Sequence, residues 1–181
     1  MSVNDVAKPL PTVRRLERVT EAEMRGLVEL LIDCVAGGAS VSFMHPLSAA
    51  KATAFWTRVA DDVAAGGRAL FVADDERDIV GTVQLVLDLP ENQPHRADVS
   101  KMLVHRRARR RGLGAALMRA AENHARELSR SLLVLDTASP EAERLYARLG
   151  WQLCGTIPRY ALMPTGEPCA TKYFYRDLGP A

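Results

Sequence analysis

The chain is short of the residues that would place it in several large protein classes. It has only three cysteines, Cys34, Cys154 and Cys169, far apart and without a C-x-x-C pair. Neither a zinc site nor a disulfide framework is therefore expected, and the three read as reduced, cytoplasmic thiols. The histidines at 45, 95, 105 and 124 lack metal-ligand spacing, so no metal is expected. No segment reaches the roughly 18 consecutive apolar residues of a membrane span, and MSVNDVAKPLPTV contains no apolar core of the signal-peptide kind. A net charge of +2 is too small for a dedicated nucleic-acid binder. The expectation is a soluble cytoplasmic protein, monomer or homodimer, with neither membrane nor nucleic acid as partner. What is present, 48% hydrophobic and 25% charged residues over 181 positions, is the composition of a globular domain. Such a length buries about two thirds of the surface of the unfolded chain.

Residues 1–12, with Pro9 and Pro11, read as an arm before a first strand at 13–19, and 13–181 as one domain. Thr20-Glu21-Ala22-Glu23 matches a capping box and opens a helix whose stripe is Leu27, Leu30, Leu31 and Val35, stopped by Gly37-Gly38. Residues 39–47 (ASVSFMHPL) are too apolar for an ordinary surface loop, and a cover over them is expected. Ser48 caps a second helix carrying Ala52, Phe55, Trp56, Val59 and Val63, ended by Gly66-Gly67. Strands are expected at 69–73, 79–87 and 97–104, the first two joined by a tight turn at 74–78. An amphipathic helix follows at 112–128, then a buried strand, Leu132-Leu133-Val134-Leu135, ending in Asp136. Ser139-Pro140 begins a last helix that stops at Gly150. Strands at 152–157 and 171–175 flank a loop rich in Pro and Gly.

The stretch after residue 104 carries the chemistry. A strand closes at Leu103-Val104, and Gly112-Leu113-Gly114 opens a helix, with arginines at 106, 107, 109, 110 and 111 between. A helix N-terminus offers unpaired amides and the positive end of its dipole, and glycine lets a pyrophosphate approach the backbone. The arginines suit a ligand with a further phosphate, as coenzyme A has. A Walker loop would need Gly-Lys-Ser/Thr, and a dinucleotide fingerprint a third glycine where Leu117 stands.

Arg109, Gly112 and Gly114 resemble the Arg/Gln-x-x-Gly-x-Gly/Ala motif of the GNAT superfamily of N-acetyltransferases. SPEAERLYARLGW, residues 139–151, is similar to the family's Asn-x-x-Ala-x-x-x-Tyr-x-x-x-Gly-Phe helix. GGASVSFM, HRADVSKMLV and LLVLDT resemble, within that family, the tabtoxin-resistance acetyltransferases. The likeness spans about residues 13–178. It implies an α/β fold, with a mixed, mostly antiparallel sheet splayed between two parallel central strands and helices on both faces. Acetyl-CoA would lie in the split, held by Met102, Leu103, Val104, Arg109, Arg110, Arg111, Gly112, Leu113, Gly114 and Ala115. The backbone of Leu103 and Val104 would pair with the pantetheine arm.

An alkyl amine with a pKa near ~10 needs about 4 kcal/mol to reach its nucleophilic form at neutral pH. The resemblance offers Asp98 and Asp136 to take that proton. At Asp98 the relatives carry Glu, one methylene longer, so a bridging water is expected there. Asp136, at the end of a buried strand, is expected to be the easier to desolvate and so the base. Tyr146 matches the family's acid for the leaving thiolate. The implied reaction is acetyl transfer to the amine of a small molecule, an amino-acid-like toxin or antibiotic among the candidates. Acetylation of peptides, or nucleic-acid binding through Arg106 to Arg111, are the alternatives.

Overall fold

The structure is a computed structural model and describes residues 11–75 and 78–179. In chain order it comprises β1 (Thr12–Leu16), α1 (Glu21–Ala36), α2 (Ala49–Ala64), β2 (Arg68–Asp74), β3 (Ile79–Val86), β4 (Arg96–Val104), a 3-10 turn (Arg106–Ala108), α3 (Leu113–Glu127), β5 (Leu132–Thr137), α4 (Pro140–Arg148), β6 (Gln152–Leu162) and β7 (Pro168–Asp177). The seven strands form one sheet in the order β1-β2-β3-β4-β5-β7-β6. Only β4 and β5 run parallel; the other neighbours are antiparallel.

Strand alternation assigns the two faces. Phe71, Val83, Leu85, Ala97, Val99, Leu133, Leu135 and Phe174 pack under α3 and α4. Leu16, Leu70, Val72, Ile79 and Leu103 pack under α1 and α2. No residue of β5, β6 or β7 belongs to that second core, so the α1–α2 face of the sheet is open beyond β4.

Local sequence explains most element ends. The capping box forms, with Glu23 N donating to Thr20 Oγ1 at 3.3 Å and Thr20 N to Glu23 Oε2 at 2.8 Å. β1 stops at Leu16, short of residue 19, because the chain bends at residues 17–18 before the cap. The strand also begins at Thr12, inside the expected arm; the rest of that arm, 1–10, lies outside the described residues. The expected cover over 39–47 is partial. Leu47 is buried and Val41 and Phe43 are packed, but Met44 is exposed. The largest departure lies at 158–170, where a loop is expected and β6 and β7 continue instead to a short turn at 163–167. Pro158 is tolerated because β6 is an edge strand, and a register shift between Ile157 and Ala161, with Arg159 at φ +52, absorbs the irregularity.

Candidate active site

The parallel ladder between β4 and β5 is short. It runs from Arg96 opposite Leu132 to Asp98 opposite Val134, after which β4 continues six residues to Val104 without a β5 partner. The sheet therefore splits at its centre, and the residues expected to line the split border it.

At the far end of β4 the chain turns through the 3-10 segment into α3. Gly112 is the N-cap at φ +78, a left-handed conformation suited to glycine, and no side chain caps the helix. The ladder starts with Ala116 N donating to Gly112 O at 3.1 Å, leaving the amides of Leu113, Gly114 and Ala115 uncapped. A Cβ on Gly112 would meet nothing within 4 Å, so the space before these amides is open. This end of α3 fits a pyrophosphate.

Gly114 has another reason to be glycine. A Cβ there would stand 3.0 Å from Leu145 Cδ2, so the residue also permits α3 to approach α4. The arginines divide similarly. Arg106 Nε pairs with Asp33 Oδ1 at 2.8 Å, Arg107 pairs with Asp75, and Arg109 Nε donates to Val104 O at 3.1 Å. Arg110, at φ +61, is exposed, and Arg111 is half-buried. Arg106, Arg107 and Arg109 thus brace the loop against α1, the β2–β3 turn and β4. Burial opposes ionisation of Asp33, but hydrogen bonds from the Arg106 backbone and guanidinium outweigh it and hold the carboxyl below its ordinary range.

Leu103 is buried, Met102 and Val104 are half-buried, and Leu103 and Val104 pair with Thr82 and Gly81 of β3. The Val104 carbonyl also accepts from Cys34 Sγ at 3.7 Å, in addition to Arg109. Burial pushes the Cys34 thiol up to about 11, the mark of an inert, structural cysteine.

Asp98 and Asp136 alternate with Ala97, Val99, Leu133 and Leu135 of the α3-side core, and so both point to the open face. Their burial is the reverse of expectation: Asp136 is exposed, whereas Asp98 is half-buried. The reason is position, since Asp136 lies beyond the last β4–β5 pair while Asp98 belongs to it. Arg96 Nη1 stands 3.0 Å from Asp98 Oδ1, at an angle that leaves that oxygen without a hydrogen bond. Burial raises the Asp98 pKa; Arg96 lowers it in part, and Asp136 raises it further. Asp136 accepts a hydrogen bond of 2.8 Å from Thr171 Oγ1.

Tyr146 of α4 is buried against Trp151 and Phe174, with ring centroids 5.9 and 5.8 Å away. Burial, then the charge of Asp136, raises its phenol pKa well above the ordinary value. Trp151 Nε1 donates to the buried Glu122 Oε1 at 2.8 Å, tying this cluster to α3.

Two residues of the open face escaped the sequence reading. Tyr173, cross-strand partner of Asp136, shares a 2.8 Å hydrogen bond with Tyr160, which together with burial and the two aspartates pushes its pKa up to about 12. The alternation of Thr171, Tyr173 and Tyr175 could have revealed it. Lys101 could not be found so, because its three-residue separation from Asp98 puts it on the opposite face of a regular strand. The β4 ladder shifts register between Thr82 and Gln84, and Lys101 sits in that irregularity at φ +50, its side chain turned toward Ser42 and Phe55. Among the described residues, no cluster of His, Cys, Asp and Glu could hold a metal ion.

The geometry compares with known proteins as follows. An N-acetyltransferase for ribosomal-protein alanine from Brucella melitensis superposes with a TM-score of 0.77 at 20% identity, covering 92% of this chain and 99% of that one. A phosphinothricin acetyltransferase from Sinorhizobium meliloti, in complex with acetyl-CoA, gives 0.76 at 21% identity, covering 94% and 90%. An N-acetyltransferase from Staphylococcus aureus gives 0.76 at 16%, covering 93% and 99%. At these identities the likeness establishes the fold, a mixed seven-stranded sheet between helices. Residues 40–151, well over half of the chain and spanning the split, the α3 N-terminus and Tyr146, match the model of the acetyltransferase (GNAT) family, and the chain belongs to that family.

Proposed function

We propose that the chain transfers an acetyl group from acetyl-CoA to the amine nitrogen of a small molecule, of the amino-acid-like kind implied by its resemblance to the tabtoxin-resistance acetyltransferases. The observation that carries this reading is the pair Asp98 and Asp136 on the open face, beside the split that leads to the uncapped start of α3. The amides of Leu113, Gly114 and Ala115 would hold the pyrophosphate, with Arg110 and Arg111 beside them. Acetyl-CoA supplies an activated acetyl thioester.

Asp98 takes the acceptor's proton, directly or through water, because its raised pKa makes it a stronger base than an ordinary aspartate. Asp136 stands beside the site of the acceptor's ammonium form and lifts the Asp98 pKa. Tyr146, neutral at any physiological pH, offers its phenol hydrogen to the leaving sulfur. Full proton transfer is uphill, since a phenol near ~10 already exceeds a thiol near ~8.5 and burial widens the gap, so the residue acts as a hydrogen-bond donor.

A thiol-release assay with acetyl-CoA and matched panels of small amines and short peptides tests the reading. Release that depends on a small amine is expected. Release driven by peptides alone would replace it with peptide acetylation.

A further inference from the structure

We infer that Lys101 is a specificity-determining residue whose ammonium group holds an anion, a carboxylate, carried by the same molecule whose amine is acetylated. The inference rests on the reading of the chain as a small-molecule amine acetyltransferase.

Three observations converge on it. The irregularity in β4 places two residues, Lys101 and Met102, opposite one on β3, Val83, between the pairs Ser100–Gln84 and Leu103–Thr82, and so brings Lys101 onto the face that Asp98 shares. Lys101 at φ +50 and Ser42 at φ +76 are both non-glycine residues in the left-handed region, and Lys101 Nζ donates to Ser42 Oγ at 3.3 Å. Backbone strain of this kind persists where the surroundings impose it, often around ligands. Ser42 is held by its neighbourhood: Ser40 Oγ donates to Leu162 O at 3.1 Å and His45 N to Pro164 O at 3.0 Å, fastening the segment to the β6–β7 hairpin.

The third observation is charge. Lys101 lies half-buried, with Phe55 at 5.6 Å from Nζ, and among the described residues no carboxylate comes within ion-pair distance of it. Burial lowers its pKa, Asp136 offsets part of this, and Arg68 adds to it. Arg68 is itself engaged, by Asp62 at 3.1 Å and the buried Gln84 at 2.6 Å. A desolvated ammonium that no carboxylate touches, and that Asp136 offsets only from a distance, is costly unless a ligand supplies a contact charge. Asp98 and Asp136 suit the cationic end of a zwitterion, and Lys101 suits its anionic end.

The test compares amino acids with their carboxamides as acceptors, in wild type and in Lys101→Met and Lys101→Arg. Wild type should favour the acid over the amide by about tenfold or more, the scale of a charge-assisted hydrogen bond. Lys101→Met should bring that ratio near one by raising KM for the acid, with KM for acetyl-CoA within twofold of wild type, and Lys101→Arg should restore part of the preference. Calorimetry of N-acetyl amino acids added to the wild-type protein with CoA should show binding that Lys101→Met loses. Small amines acetylated without regard to the carboxylate, or an unchanged ratio in Lys101→Met, would overturn the role of Lys101 and leave the proposed function standing. Peptides acetylated and small amines ignored, with no N-acetyl amino acid bound, would overturn both.

Discussion

The two aspartates of the open face differ in one respect that kinetics can read. Asp98 is half-buried with a raised pKa and Asp136 is exposed, and the proposed mechanism assigns the acidic limb of the rate profile to Asp98. Asp98→Asn should remove that limb and lower kcat by about a hundredfold or more, the range of general-base contributions. Asp136→Asn should keep the limb and move it to lower pH, because the like charge that raises the Asp98 pKa is gone. Stability carries its own sign. A carboxyl whose folded pKa lies above its unfolded value costs stability once ionised, fully above the folded pKa and not at all below the unfolded one. Asp98→Asn should therefore melt no lower than wild type at neutral pH, and any gain should vanish in acid. A full kcat and unaltered pH profile in Asp98→Asn would pass the proton to Asp136 or to solvent. The sequence made both carboxylates visible but not which of them is the more buried, since the hydrophobicity of LLVL says nothing about where the β4–β5 ladder ends.

At the scale of elements, the two glycines of the α3 start have different surroundings, open space at Gly112 and Leu145 at Gly114. Gly112→Ala adds a methyl that meets no protein atom within 4 Å, at the left-handed residue that precedes the uncapped amides. It should weaken acetyl-CoA binding while costing roughly 1–2 kcal/mol for a left-handed alanine. Gly114→Val drives its side chain against Leu145 Cδ2 and should lower stability by about 1–3 kcal/mol through overpacking of α3 on α4. Melting curves and calorimetric acetyl-CoA affinities of the two variants separate these effects. A Gly114→Val protein as stable as wild type but unable to bind acetyl-CoA would return both glycines to the phosphate. Helix starts were legible in sequence because capping is local: Thr20 with Glu23, Ser48, and Ser139 before Pro140 all cap as written. The irregularities of β4 and β6 were not. Each depends on the register of a neighbouring strand, and each redirects a part of the open face, Lys101 in one case and the strand carrying Tyr160 in the other.

For the whole molecule, the arrangement of charge bears on the choice between a cofactor site and a polyanion-binding surface. Five arginines within six residues read in sequence as one basic patch. In the fold, Arg106 and Arg107 are neutralised by Asp33 and by Asp75, and Arg109 is turned onto the Val104 carbonyl. The net charge of +2 supplies no broad field to replace them. A duplex would meet Arg106, Arg107 and Arg109 already engaged, whereas a single pyrophosphate needs mainly the helix amides. Acetyl-CoA at a hundred times its Kd should therefore stabilise the protein by about 2.7 kcal/mol through mass action. For a chain of this size, that amounts to a melting shift of roughly 5–10 °C. Duplex DNA at 150 mM salt should produce no comparable shift. If DNA raised the melting temperature as far as acetyl-CoA does, weakened steeply with salt, and were not displaced by acetyl-CoA, then the arginines would have to form an external patch. Asp33→Asn gives the complementary measurement. By releasing Arg106 from α1 it should loosen the loop that leads into α3 and reduce acetyl-CoA affinity, even though it makes the surface more positive. A gain in acetyl-CoA affinity in Asp33→Asn would mean that total charge, and not a braced backbone cradle, governs the site.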